Sequence, residues 1–167
     1  MTTLVGLISD THDNAGAILE ANKYLKLLQP AIVIHCGDMT SPETLALFKE
    51  LPLHAVFGNC DHNREGLIKA ATSLGLVPPK DEIELEVEGK TLYCAHGHQH
   101  RLIQEMAGAS IYNYIFHGHT HVRRDDLYKG TRIINPGALT RADRYAFATL
   151  LLPEGKLTTH YLDEIST

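Results

Sequence analysis

Tryptophan is absent from this chain of 167 residues, and cysteine is scarce. The three cysteines, Cys36, Cys60 and Cys94, are odd in number and form no Cys-x-x-Cys pair. The sequence therefore predicts neither a disulfide framework nor a cysteine-based zinc site. Charged residues make up 21% of the chain and hydrophobic residues 44%, which is typical of a globular protein and excludes a disordered one.

Long hydrophobic runs are missing as well. The stretch Ala31-Ile-Val-Ile34 is far shorter than the roughly 18 apolar residues of a membrane span, and Met1-Thr-Thr lacks the basic and apolar segments of a signal peptide. We therefore expect a cytoplasmic protein that makes no contact with a membrane. The 15 basic residues against 20 acidic ones give a net charge of -5, which argues against a long nucleic acid as partner.

The length predicts a single domain over residues 1–167, because domains have about 150 residues. Apolar runs and helical periodicity alternate in the first half and predict strands at 3–8, 31–36 and 53–57 with helices at 15–29, 40–51 and 63–74. In the second half, strict alternation at 82–88 predicts a hairpin with 91–95, and further strands are expected at 111–116, 131–134, 145–152 and 156–162. This order indicates a mixed, layered α/β fold.

The unusual feature is the number of histidines, which is 11. Several of them, with acidic and amide side chains, follow predicted strands, where the ligands of open α/β sheets collect. The candidate metal ligands are Asp10, His12, Asp38, Asn59, His96, His117 and His119. Oxygen and imidazole ligands without thiolate suit Mn, Fe, Ni, Co or Zn, and seven are too many for one ion that must also bind substrate. Two divalent ions per chain are therefore expected.

The series Asp-x-His, Gly-Asp, Gly-Asn, His and Gly-His-x-His resembles that of the calcineurin-like metallophosphoesterases. The resemblance is strongest to their small YfcE-like branch, which also contains the retromer subunit Vps29. It implies a four-layer α/β/β/α sandwich with two mixed β-sheets, the metallo-dependent phosphatase fold. It also implies one metal, with manganese the first choice, on Asp10, His12, Asp38 and His119, and a second on Asp38, Asn59, His96 and His117.

The resemblance implies a phosphodiesterase that hydrolyses small phosphodiesters by in-line attack of a metal-bridging hydroxide. Asp38 and Asn59 then count as catalytic residues as well as ligands. Larger relatives have a histidine after Gly-Asn, where this chain has Cys60, so the donor of a proton to the leaving group differs. We take His98 as the first candidate donor, with His62 and Cys60 as alternatives.

Two other functions stay open: a phosphomonoesterase of the nucleotide type, and a non-catalytic, Vps29-like scaffold that binds proteins. Small members of the family self-associate, so a homo-oligomer is a further option. We expect the remaining histidines to have no direct role in the chemistry. His35, His54 and His160 are interpreted as packed residues, and His100 and His121 as residues at the rim of the site.

Overall fold

The computed structural model describes residues 1–165. The predicted domain 1–167 therefore includes two positions, 166 and 167, that lie outside the described residues. The strands are β1 (Thr3–Ile8), β2 (Ile32–His35), β3 (Leu53–Ala55), β4 (Glu82–Val87), β5 (Lys90–Ala95), β6 (Tyr114–Phe116), β7 (Arg124–Tyr128), β8 (Thr131–Asn135), β9 (Ala146–Leu152) and β10 (Lys156–Tyr161). The helices are α1 (Ala15–Leu28), α2 (Pro42–Ala46), α3 (Arg64–Ser73), α4 (His100–Ala109) and α5 (Leu162–Ile165).

The strands form two mixed sheets of five strands each. The first sheet has the order β10-β9-β1-β2-β3, in which β1, β2 and β3 are parallel and β9 and β10 are antiparallel additions. The second sheet has the order β4-β5-β6-β8-β7, in which β5, β6 and β8 are parallel and the edge strands are antiparallel. Each sheet thus has a parallel centre, whose carboxyl ends carry the predicted ligands.

Alternation along the strands divides the core into three apolar layers. Leu7 of β1 and Phe116 of β6 lie in the layer between the sheets, which strand residues from both sheets fill. Ile8 packs on the other face of the first sheet with residues of α1, α2 and α3, and Ile115 packs on the other face of the second sheet with Ile103 of α4. The order of layers is helix, sheet, sheet, helix, which confirms the predicted sandwich.

Local sequence explains where the predicted helices begin. Asn14 caps α1 by accepting a hydrogen bond from the Ala17 amide, and Ser41 caps α2 in the same way. Pro42 occupies the first turn of α2, where its missing amide hydrogen costs nothing. The alternating glutamates of β4 are on its wetter face, while Ile83 and Val87 are buried, as the pattern predicts.

The structure also contains elements that the sequence pattern did not predict. Helix α4 follows Gln99, which makes no side-chain capping hydrogen bond, and it buries only Ile103 and Ala107. Strand β7 is an edge strand with no buried residue, and it is defined by its antiparallel pairing with β8. Helix α2 ends at Ala46, earlier than predicted. No helix within residues 1–165 has both the length and the apolar character needed to cross a membrane.

Candidate metal centre

The side chains that follow the parallel strands of both sheets meet in one cluster. Asp10 and His12 follow β1, and Asp38 follows β2. The Nε2 of His12 lies 3.4 Å from Oδ2 of Asp38 and 3.9 Å from Oδ1 of Asp10. From the second sheet, the Nε2 of His96 lies 3.2 Å from Oδ2 of Asp38. Four of the seven predicted ligands therefore face one another across the gap between the sheets.

Asn59, which follows β3, lies between the imidazoles of His96 and His119. Its Oδ1 lies 3.1 Å from Nε2 of His96 and 3.0 Å from Nδ1 of His119. His119 also reaches the other carboxylate through its backbone, since its N–H donates to Oδ2 of Asp10 over 3.0 Å. Asn59 and His119 thus lie beside His96, as a second group of ligand atoms next to the two carboxylates.

Each of the two carboxylates accepts hydrogen bonds at one oxygen and faces imidazoles with the other. Oδ2 of Asp10 accepts hydrogen bonds from the Ser9 hydroxyl, over 2.6 Å, and from the His119 amide. Oδ1 of Asp38 accepts one from the Cys60 amide over 2.8 Å. The remaining oxygens, Oδ1 of Asp10 and Oδ2 of Asp38, are the ones that face the imidazole Nε2 atoms. Such an arrangement directs the free lone pairs of both residues toward a common point.

Asp61 holds the backbone on which Asp38 lies. Its buried carboxylate accepts hydrogen bonds from the amides of Asp38 (2.9 Å), Thr40 (2.7 Å) and Gly58 (2.6 Å). The bonds from Asp38 and Thr40 join the turn after β2 to the turn after β3, and the bond from Gly58 lies within the turn after β3. Asp61 therefore fixes the relative position of Asp38 and Asn59 without facing the cluster itself, as supporting residues of metal sites commonly do.

The imidazoles are oriented through their Nδ1 atoms. Nδ1 of His96 lies 2.7 Å from the carbonyl oxygen of Cys36, and Nδ1 of His121 lies 3.0 Å from that of Thr140. Since a carbonyl oxygen only accepts, each Nδ1 carries the hydrogen, and the neutral ring then presents a bare Nε2. The Nε2 of His96 nevertheless faces oxygens of Asp38 and Asn59. Facing acceptors of this kind need a cation or a proton between them.

Unpartnered buried atoms test whether a metal ion fits the cluster. Within residues 1–165, Oδ1 of Asp10 and Nε2 of His12 are buried and have no hydrogen-bond partner. A buried carboxylate oxygen without a partner is costly, and a coordinated cation removes that cost. Three groups of candidate ligand atoms overlap here, namely Asp10 with His12 and His121, Asp10 with Asp38 and His96, and His12 with Asp38 and Cys60. The residues fit a divalent metal.

The electrostatics of the two carboxyl groups differ. Burial raises the pKa of Asp10, although the Ser9 hydroxyl and the nearby His96 oppose the shift. Burial acts in the same direction on Asp38, but the hydrogen bond and charge of His96 outweigh it and hold the pKa of Asp38 well below its usual range. Asp38 is therefore ionised at neutral pH, and a bound cation would oppose the rise in the pKa of Asp10.

The backbone at the cluster is unusual, because five of its residues have left-handed φ angles. This conformation is energetically unfavourable for non-glycine residues, and residues that adopt it are frequent at functional sites. Packing behind the cluster is also close, since a Cβ on Gly118 would lie 1.9 Å from Oγ of Ser9 and 2.5 Å from Oδ2 of Asp10. The five residues and their φ angles are Asp10 (51°), His12 (37°), Asp38 (61°), His119 (67°) and His121 (57°).

His117 and His121 exchange the roles that the sequence suggested. Nε2 of His121, which was expected at the rim, lies 3.3 Å from Oδ1 of Asp10, and its ring lies 5.3 Å from that of His12. His117, which was expected to be a ligand, lines a cavity of about 500 Å³ with Ile103 of α4, and its Nε2 is buried without a hydrogen-bond partner within residues 1–165. The measured distances to the carboxylates therefore favour His121 in place of His117.

Strand alternation explains the position of His117. Ile115 packs toward α4 and Phe116 toward the space between the sheets, so His117 is again on the α4 side. Its amide still pairs with the Ile134 carbonyl of β8, and the chain leaves the strand only afterwards. Burial lowers the pKa of His117 to about 4, which keeps the ring neutral. His119 correspondingly lies beside Asn59, and not beside His12 as the resemblance implied.

The candidate proton donors lie at different distances from the cluster. The ring of His98 is exposed, and its centroid lies 5.6 Å from that of His96 and 6.3 Å from that of His119. The Cys60 thiol lies among the candidate ligand atoms of His12 and Asp38, and burial, followed by the Asp38 charge, raises its pKa. His62 is exposed. Among the other histidines, the ring of His100 lies 5.9 Å from that of His119, at the rim where it was expected.

Comparison with known proteins supports the assignment of family. The sequence of residues 3–154 matches the calcineurin-like phosphoesterase superfamily domain. Phosphodiesterase MJ0936 of Methanocaldococcus jannaschii is 29% identical over 138 residues, which are 80% of this chain and 82% of that protein.

Solved structures share the fold. An archaeal phosphodiesterase superposes with a TM-score of 0.88 at 24% identity, covering 95% of this chain and 99% of the other. YfcE, a phosphoesterase from E. coli, gives 0.72 at 16% identity, with coverages of 95% and 99%. Vacuolar protein sorting 29 of Cryptosporidium parvum gives 0.69 at 19% identity and 96% of both chains. The motifs, the fold and the match over residues 3–154 agree, and the chain belongs to the calcineurin-like phosphoesterase superfamily.

Proposed function

We propose that the protein is a dinuclear metal-dependent phosphodiesterase for small substrates. The observation that carries the proposal is the pair of donor groups that meet at Asp38. One divalent ion would be held by Asp10, His12, Asp38 and His121, and the second by Asp38, Asn59, His96 and His119. These sets keep Asp38 as the bridge, as the sequence suggested, and replace His117 with His121.

The donor set favours a transition metal of intermediate softness. Carboxylate, amide and imidazole ligands suit Mn, Fe, Co, Ni or Zn, with manganese the first expectation. Burial, followed by the Asp38 charge, raises the pKa of the Cys60 thiol and so disfavours its thiolate form in the metal-free protein. When bound, two such ions supply a nucleophile from water at neutral pH and neutralise charge on a phosphoryl group.

The chain's own residues perform the remaining tasks. The Cys36 and Thr140 carbonyls fix the rings of His96 and His121, so that little reorganisation is needed when substrate binds. Asn59 is exposed, which places its side chain at the open face of the cluster where a phosphate ester arrives. His98 is exposed on the same side, near His96 and His119, and we propose it as the donor of a proton to the leaving group.

A phosphodiester is favoured over a monoester by two lines of support. A relative of similar length is named a phosphodiesterase. In addition, two cavities flank the cluster. Gly97 and His117 line one of them and His121 lines the other, so the site has room for groups beyond the reacting phosphate. A phosphomonoesterase remains the second enzymatic candidate, and it would require these cavities to be unused.

A Vps29-like scaffold is the candidate from another class, and likeness of fold to a vacuolar protein sorting protein favours it. A scaffold has no need of buried, unpartnered ligand atoms such as Oδ1 of Asp10 and Nε2 of His12. For this reason we place the enzyme first. The cytoplasmic location and the homo-oligomer remain predictions from the sequence.

The test combines metal analysis with two matched assays. Metal content is measured by mass spectrometry, and the same preparation is assayed on bis(4-nitrophenyl) phosphate and on 4-nitrophenyl phosphate with several divalent ions. We expect about two ions per chain and a higher kcat/KM on the diester. Asp38→Asn should lose metal and at least about 1000-fold in turnover while it stays folded, since the bridge serves both ions. Glu65→Gln, an exposed carboxylate on α3, should behave like the unmodified protein.

Three outcomes would decide among the candidates. A higher rate on the monoester would replace the diesterase with the phosphomonoesterase. A fully metallated protein without activity on either ester would favour the scaffold. Retention of full activity by Asp38→Asn would remove the dinuclear mechanism.

A further inference from the structure

A second cavity opens on the cluster beside His121. It has a volume of about 400 Å³ and extends from His121 to Tyr161, between the loop after β6 and the loop before β9. Because Nε2 of His121 lies 3.3 Å from Oδ1 of Asp10, the inner end of this cavity meets the proposed metal centre. A group attached to a phosphate at the centre can therefore extend into it.

Three arginines line this cavity, and they differ in their partners. Arg144 is neutralised, because it pairs with Asp163 and with Glu164. Arg123 donates to the Thr159 hydroxyl over 3.1 Å and lies over the ring of Tyr161. Within residues 1–165, neither Arg123 nor Arg141 forms an ion pair with a carboxylate.

Arg141 lines the same cavity as His121. Arg141 also adjoins Thr140, whose carbonyl oxygen holds the ring of His121. This exposed cation therefore lies at the mouth of the cluster, next to one of its proposed ligands.

The charge of the cavity favours an anion. Arg123 and Arg141 contribute two positive charges without carboxylate partners, and Asp143 contributes one negative charge. A guanidinium presents paired N–H donors that match the oxygens of a phosphate group, and such charge-assisted bonds are stronger than neutral ones. Since a metal centre already binds the reacting phosphate, the cavity cations are available for a different group on the same molecule.

We propose that this cavity is a subsite for a second phosphate group, and that the substrate is a phosphodiester whose retained ester group carries that phosphate. Arg141 is its principal ligand, and Arg123 assists. This inference rests on the proposed phosphodiesterase function and narrows its substrate class.

The kinetic test uses two diesters that share a leaving group. One is 4-nitrophenyl phenyl phosphate, and the other carries a phosphonate on the para position of the phenyl ring, where the carbon–phosphorus bond resists hydrolysis. Release of 4-nitrophenolate gives kcat/KM for both. We expect the metal-loaded protein to prefer the phosphonate-bearing diester. Arg141→Gln should lose about 10- to 100-fold in kcat/KM on that diester and less than about threefold on the other.

Matched variants separate charge from structure. Arg141→Lys keeps the charge but not the planar fork, and it should retain part of the preference. Arg101→Gln removes an exposed arginine of α4 that does not line the cavity, and it should match the unmodified protein on both diesters. Equal losses by Arg141→Gln on both diesters would overturn the proposal, because Arg141 would then act only by supporting Thr140 and His121. Absence of a preference in the unmodified protein would overturn it too.

A binding measurement keeps the subsite testable if neither diester is hydrolysed. In that event the proposed function fails, and calorimetry on the metal-loaded protein compares butylphosphonate with 1,4-butanediphosphonate, whose flexible chain imposes no fixed spacing. Tighter binding of the diphosphonate, weakened about 10-fold or more by Arg141→Gln, would support the subsite. Equal binding of the two probes, or equal affinities in the variant and the unmodified protein, would overturn it.

Discussion

Nε2 of His121 lies 3.3 Å from Oδ1 of Asp10, and Nδ1 of the same ring is held by the carbonyl oxygen of Thr140. The ring is thus fixed from one side and presents its other nitrogen to a buried carboxylate. In metal sites this arrangement of an oriented histidine beside an acidic ligand sets the tautomer and the direction of the ligand.

The first prediction concerns which histidines bind metal. His121→Ala should lower the bound metal to about one ion per chain and reduce diester turnover by at least about 100-fold, because loss of an orienting partner alone costs 10- to 100-fold. His117→Ala is the matched control and should keep both ions, since its ring faces α4. Metal analysis and initial rates on the same preparations give the comparison. The reverse result would restore the ligand set that the sequence suggested.

The second prediction concerns the leaving group. Since a good leaving group departs without a proton, His98→Ala should lose little activity on bis(4-nitrophenyl) phosphate. On a diester with an aliphatic alcohol as leaving group, we expect a loss of about 100-fold or more. His62→Ala should be nearly unaffected on both substrates, because His62 makes no described contact with the cluster. If His98→Ala loses the same factor on both, the role as donor is excluded, and Cys60→Ser is the next variant to assay.

The third prediction uses the buried His35. Nδ1 of His35 accepts a hydrogen bond from the Gly37 amide, so Nε2 carries the hydrogen and donates to the Thr11 hydroxyl over 3.0 Å. Burial lowers its pKa to about 3 from 6.5. Between those values the unfolded chain binds a proton that the folded protein does not, so stability is fully present above pH 6.5 and is lost as pH falls toward 3.

His35 should therefore reduce the free energy of unfolding of the metal-free protein by about 1–2 kcal/mol between pH 7 and pH 5. His35→Asn keeps an acceptor for the Gly37 amide but has no titrating group, and its pH dependence should be flatter by that amount. His62→Asn, at an exposed position, should keep the original slope. Urea unfolding in the presence of a chelator measures all three. Parallel curves for His35→Asn and the unmodified protein would show that His35 is protonated equally in both states.

The fourth prediction concerns packing behind the cluster. Gly118→Ala would place a methyl group 1.9 Å from Oγ of Ser9 and 2.5 Å from Oδ2 of Asp10, so Asp10 must move. We expect a loss of about 1–3 kcal/mol in the free energy of unfolding and weaker metal retention. Gly108→Ala in α4 is the control, because no atom lies within 4 Å of its Cβ position. It should stabilise the helix by about 0.5–1 kcal/mol, and normal metal binding by Gly118→Ala would contradict the proposed position of Asp10.

The sequence located most of the cluster because apolar runs mark the ends of strands. Five of the seven predicted ligands follow such runs and meet as expected: Asp10, His12, Asp38, Asn59 and His96. The parallel order of the strands in each sheet then brings them to one edge. For these five residues, strand boundaries and the family resemblance were sufficient.

The ligands in the segment from His117 to His121 were harder to predict, because this segment contains two overlapping His-x-His motifs. Choosing between them requires the residue at which β6 ends and the turn that follows. That turn depends on the packing of Gly118 against Ser9 and Asp10, which are distant in the sequence. The position of Arg141 likewise depends on a loop conformation, and β7 depends on pairing with β8. Local patterns contain no information on these tertiary contacts.

The proposed ligands come from both halves of the sandwich, with Asp10 and Asp38 after strands of the first sheet and His96 and His121 after strands of the second. A bound cation would add a further link between layers that adhere through apolar side chains and through hydrogen bonds such as that of His96 with the Cys36 carbonyl. Ligands that bind only the folded state stabilise it by mass action. In a metal-starved cell, the chain would open more often and be degraded by proteases sooner, so its abundance should follow the supply of the metal.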